Sequence, residues 1–102
     1  MAEIDELAPN ASLNGVRIID VREPEEFAGE LGHIPGAELC PLGSLDIRAR
    51  EWSTDEHYVL VCRSGKRARA AAERLKKQGF PRLSVLRGGM VAYNSLGRGD
   101  HS

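Results

Sequence analysis

Long hydrophobic runs are missing from these 102 residues. No apolar stretch approaches the ~18 residues of a membrane-spanning helix. The amino terminus, Met1-Ala2-Glu3-Ile4-Asp5-Glu6, has neither the basic nor the apolar region of a signal peptide. The expectation is a cytoplasmic protein with no membrane partner. Cysteine is scarce too: Cys40 and Cys62 stand far apart, outside any CxxC spacing, which suggests neither a zinc site nor a disulfide framework and fits a reducing compartment. Neither sign of charge is in excess. With 14 basic and 15 acidic residues the net charge is -1, so no global field draws the chain to nucleic acid or to an acidic surface. At 5% aromatic content, stacking platforms for a nucleic acid are scarce as well.

What remains is an ordinary globular composition, 41% apolar and 28% charged, at a length able to bury one core without staples. No internal repeat or low-complexity segment is visible. The expectation is a single domain over residues 1–102, with about 98–102 a frayed tail.

Positive charge is concentrated locally. From Arg63 to Lys77 there are seven basic residues and one acid, Glu73. Most belong on a solvated helix face, but Arg63, Lys66 and Arg67 adjoin Cys62 in the run Cys62-Arg63-Ser64-Gly65-Lys66-Arg67. The β-branched segment Tyr58-Val59-Leu60-Val61 leads into Cys62, and an Ala-rich helical rhythm from Arg67 to Lys77 leads away. The thiol is thereby predicted at a strand's carboxyl end, facing a helix amino terminus. Unpaired N–H groups, the helix dipole and the three cations favour a thiolate there and can hold an oxyanion beside it. A buried filler is the alternative role for a free cysteine. A filler would rarely be followed by Arg, Ser, Gly, Lys and Arg, which cannot continue a buried strand, whereas Gly65 suits a sharp turn with N–H groups pointing inward.

Along the chain, Val16–Val21 reads as a strand, Pro24 to about Ala28 as a short helix, Ala37–Cys40 as a brief strand, and Leu45 to about Glu51 as a helix capped by Ser44. The Tyr58–Val61 strand and its helix follow, the helix ending near Gly79. Leu83–Leu86 is a further strand, and Gly88-Gly89 turns the chain into a last helix through about Leu96. Alternation of strands and helices predicts an α/β domain with a mostly parallel sheet, helices on both faces, and ligands outside the carboxyl ends of the strands.

Four segments in order, Asp20-Val21-Arg22-Glu23-Pro24-Glu25-Glu26-Phe27, Gly32-His33-Ile34-Pro35-Gly36-Ala37, Cys62-Arg63-Ser64-Gly65-Lys66-Arg67 and Leu86-Arg87-Gly88-Gly89, resemble the rhodanese homology domain in its single-domain thiosulfate sulfurtransferase form. The match runs from about Ile4 to Gly97. It implies a five-stranded sheet and a cysteine, Cys62, that takes sulfane sulfur from thiosulfate or a protein persulfide, holds it as a persulfide, and passes it to cyanide or a thiol, with no metal or organic cofactor. The loop Arg63, Ser64, Gly65, Lys66 and Arg67 would bind the donor and stabilise the persulfide. A sulfur-relay protein is a possible partner, and a relay or regulatory module that does not turn over is the alternative function. Cell-cycle phosphatases and arsenate reductases, whose related loops are one residue longer, fit less well.

This chain departs from the two-domain vertebrate thiosulfate enzymes at two places: Glu26 stands for an arginine and Ser64 for a lysine, which puts thiosulfate itself in doubt as donor. Tyr93 stands where many members have tryptophan, a packing variation. Asp20 and Arg22, next to the predicted site, are supporting candidates that either orient the loop or form a purely structural pair. His33 is expected to fix its turn, Cys40 to pack in the core, and Trp52 to cover it.

Overall fold

Parallel strands covered on both faces need near-continuous apolar sequence, and three stretches here have it. They become β2 (Arg17–Asp20), β4 (Tyr58–Val61) and β5 (Arg82–Leu86). With β1 (Glu3–Leu7) and β3 (Glu38–Leu39) they form an all-parallel sheet in the order β1-β5-β4-β2-β3. This is a computed structural model, which describes the backbone of residues 3–99 and the side chains of residues 4–95.

Alternate strand residues feed two cores. On one face Ile19, Tyr58, Leu60, Leu83 and Val85 pack against Leu45 and Ala49 and against Ala68, Ala71, Ala72 and Leu75 of α3 (Lys66–Lys77). On the other, Ile18, Val59, Val61 and Leu86 pack with Ile34 and with Met90 of α4 (Gly89–Gly99). Small alanines on α3 let the helix lie close to the sheet, while its charged residues face water. The helix ends as expected at Gly79, where Gly79 N–H donates to the Lys76 carbonyl and Phe80 N–H to that of Leu75, and buried Phe80 joins the core beside Leu75.

Several boundaries differ from the sequence reading. The helix expected over Leu45–Glu51 is a single α-helical turn, α2 (Leu45–Arg48), between 3₁₀ turns at Leu42–Ser44 and Ala49–Glu51, and Ser44 makes no capping bond. Only Leu45 and Ala49 are buried there, one turn apart, so nothing sustains a longer amphipathic face. The first helix, α1 (Pro24–Phe27), is the short helix expected from Pro24 to about Ala28. β1 was not foreseen. Its acidic Glu3-Ile4-Asp5-Glu6-Leu7 sequence suits an edge strand: Asp5 and Glu6 are exposed, Ile4 packs on one core and Leu7 on the other. Residues 98 and 99, expected in a frayed tail, close α4, which also carries Gly97; each glycine costs about 1 kcal/mol relative to alanine without forbidding helix. The rest of the expected tail, 100–102, lies outside the described residues.

Candidate active site

The site is built where β4 ends. Register pairing sets Asp20 of β2 beside Val61 of β4, and Val21 N–H donates to the Val61 carbonyl, so the segments that follow, Arg22 and Cys62, leave the sheet side by side. Cys62 is buried at 1% exposure and is a free thiol. The chain then turns through exposed Arg63 and Ser64 to Gly65, whose φ of +114° is open to glycine and strained for other residues. That turn aims the Gly65 N–H at Cys62 Sγ, 3.0 Å away, and starts α3 at the next residue. An N–H donor on the sulfur, at the positive end of a twelve-residue helix, stabilises negative charge there.

A second helix braces the loop from the other side. Met90 N–H donates to the Cys62 carbonyl (2.8 Å) and Val91 N–H to the Arg63 carbonyl (3.1 Å), so the first amides of α4 are spent on the nucleophile loop. Backbone approaches backbone so closely that a Cβ at Gly89 would overlap the Cys62 carbonyl oxygen and lie 2.6 Å from the carbonyl carbon and oxygen of Arg63. Gly89 is therefore a site residue that the sequence reading treated as a turn. The signal was present in the Gly88-Gly89 pair, but not what the second glycine makes room for.

The cations of the loop have different fates. Arg63 and Lys66 are exposed and make no ion pair among the described residues. Arg67 is committed: Nη1 and Nη2 donate to Glu26 Oε1 and Oε2 at 2.7 and 2.8 Å. Glu26 Oε1 also accepts from Glu23 N–H (2.9 Å). The Arg67 fork first, and that amide second, pull the Glu26 carboxyl from about 4.5 down to about 2, and Glu26 in turn raises the Arg67 guanidinium. Arg67, expected among the loop residues that bind the donor, thus has its guanidinium fork on Glu26. Two residues 41 apart form the pair, so no local pattern announces it.

Asp20 and Arg22 also pair. Arg22 Nε and Nη2 donate to the two Asp20 oxygens at 2.9 and 2.8 Å, and Nη2 reaches the Gly32 carbonyl at 2.7 Å, with both side chains at or below 1% exposure. The pair therefore pins the Gly29–Gly36 loop, and these hydrogen bonds do not touch the Cys62 loop. Arg22 nonetheless reaches the site, because with Glu25, Glu26, Gly29, Glu30, Leu31 and Arg63 it lines a cleft of about 440 Å³. Ser64 makes no side-chain hydrogen bond among the described residues. His33 stacks on Phe27 with ring centroids 3.7 Å apart and bonds the Phe27 carbonyl at 3.0 Å, tying its loop back to the end of α1. Cys40 is fully buried, and burial pushes its thiol up. Trp52 stacks on Tyr58 at the core's edge, and Tyr93 packs on the second core. Among the described residues no group of three or more His, Cys, Asp or Glu could hold a metal ion, and no helix is long and apolar enough to cross a membrane.

Residues 3–96 match the Rhodanese-like domain family, and the chain belongs to it. It is 43% identical over 68 residues to the putative sulfur carrier protein YrkF of Bacillus subtilis (strain 168), covering 67% of this chain and 36% of that protein. A sulfurtransferase of Allochromatium vinosum is 39% identical over 83 residues, 81% of this chain and 76% of its own. The crystal structure of a rhodanese-related protein from Thermoplasma volcanium superposes with a TM-score of 0.81 at 25% identity, covering 91% of this chain and 93% of that one. The fold expectation and the family resemblance both hold.

Proposed function

We propose that this domain is a sulfurtransferase that carries sulfane sulfur as a persulfide on Cys62. The observation that carries the reading is the 3.0 Å bond from Gly65 N–H to Cys62 Sγ in a loop whose remaining amides open α3. In the first step the Cys62 thiolate bonds to the outer sulfur of the donor, and the donor's S–S bond breaks with its electron pair on sulfite, if thiosulfate, or on a protein thiolate. Arg63, Lys66 and the amides of Ser64, Gly65 and Lys66 stabilise the departing anion and then the persulfide, while Arg67 is held on Glu26. In the second step cyanide or a thiol takes the terminal sulfur and the thiolate returns, a double displacement with ping-pong kinetics. The relatives named sulfurtransferase and sulfur carrier support the same chemistry. The site needs neither metal nor organic cofactor for it, and a cytoplasmic setting keeps the thiol reduced.

The test is intact mass before and after a sulfur donor. Wild type should gain one sulfur atom, lose it to cyanide, and show no gain as Cys62→Ser; absence of both adduct and thiocyanate overturns the proposal. A second reading, a relay module that receives sulfur from a partner protein and turns over small donors poorly, is favoured by the near-complete burial of Cys62 and the sequestered Arg67. Fast loading from a persulfidated protein beside slow thiosulfate turnover selects it. Hydrolysis of an aryl phosphate would instead revive the phosphatase reading, against which the short loop argues.

A further inference from the structure

The cleft beside the Cys62 loop is walled by three carboxylates, Glu25, Glu26 and Glu30, and two guanidinium groups, Arg22 and Arg63. Arg22 is already neutralised by buried Asp20, and Glu26 by Arg67. Among the cleft-lining groups that leaves Glu25 and Glu30 against Arg63, so the wall itself carries an excess carboxylate; Lys66 lies on the loop outside this lining, and the loop's most firmly placed cation, Arg67, is turned onto Glu26. Glu26 is not free to swing away: three donors hold it, two from Arg67 and one from the Glu23 amide. A small dianion entering this cleft meets repulsion from the wall and finds no Arg67 fork to bind.

We propose that the Glu26–Arg67 pair selects the sulfur donor, making the site discriminate against small dianions such as thiosulfate and favour persulfides on carriers that give a net charge near zero. This rests on the reading of Cys62 as the sulfur acceptor. The loading step is the same for both donors. A bond forms between Cys62 Sγ and the outer sulfur, and the donor's S–S bond breaks with its electron pair on sulfite or on the carrier thiolate, so no external oxidant is consumed. Only the charge brought into the cleft differs.

The experiment measures second-order loading of Cys62, by mass spectrometry, from thiosulfate and from cysteamine persulfide, each divided by the donor's rate toward free cysteine. In wild type the normalised thiosulfate rate should be the lower one; equal rates overturn the proposal. Glu26→Gln removes the charge but keeps the shape, and should raise the thiosulfate rate about tenfold while cysteamine persulfide stays within about twofold. Glu30→Gln, at an exposed position with no ion pair to Arg67, should shift the preference in the same direction by about two- to threefold, which preserves a reading if position 26 perturbs the fold. Unchanged preference in both variants, or an equal fall with both donors, overturns the inference while persulfide formation keeps the proposed function standing. Absence of any Cys62 persulfide in wild type overturns both.

Discussion

Gly89 shows how little space separates the nucleophile loop from the helix behind it. A methyl group there meets backbone carbonyls of Cys62 and Arg63, which cannot rotate aside as a side chain would. Gly89→Ala should therefore cost about 1–3 kcal/mol of stability, read by urea melts, and abolish most sulfur loading, whereas Gly43→Ala, with open space around the added carbon, should retain it. Arg22 is a second residue with a definite expectation. Removing its guanidinium leaves Asp20 buried and unpaired, so Arg22→Ala should lose about 3–5 kcal/mol, with the loop at Gly32 released. Glu26 gives a pH dependence. Its carboxyl is lowered from about 4.5 in an unfolded chain to about 2, so its stabilisation is full above pH 4.5 and disappears as pH falls toward 2. Wild type and Glu26→Gln should differ in denaturant midpoint at pH 6 and converge near pH 2. A gap that persists at pH 2 would contradict the ion pair as its source.

At the scale of elements, β1 and α3 stand at opposite ends of legibility. The α3 spacing of Ala68, Ala71, Ala72 and Leu75 states a helix with one buried side, and the structure starts it one residue before the expected Arg67, at Lys66. β1 states nothing so plain. Three acids in five residues hide a strand whose pairing with β5, in register from Glu3 with Arg82 to Leu7 with Leu86, depends on a neighbour some 80 residues away. Deleting residues 1–7 should leave β5 as an unprotected edge and produce self-association, visible as a larger species by size-exclusion chromatography. A monomer of unchanged stability would show β1 to be dispensable. α2 stops short of the expected Glu51 because capping signals mark where helices start, while burial decides how far they run.

Across the molecule, what could be read from sequence was local. Strand, loop and helix around Cys62 are contiguous, so their order and the position of the thiol follow from chain pattern. What could not be read is made by contacts between distant units: Arg67 on Glu26, Arg22 on the Gly32 carbonyl, and the first turn of α4 on the Cys62 loop. These pairings depend on the sheet order, in which β4 lies between β2 and β5 and so receives a contribution from each side. Family resemblance supplied the chemistry, and the geometry changed how its charges are distributed.

The brace from α4 has a spectroscopic consequence. The amide protons of Met90 and Val91 end on the carbonyls of Cys62, which bears the sulfur, and of Arg63, which follows it, so each backbone resonance senses the loop through a single hydrogen bond. When an extra atom is seated on Cys62, those two signals should shift while amides in the middle of β5 stay fixed. A nitrogen-edited proton spectrum would then follow loading and unloading in real time, without labelling the thiol or consuming the product.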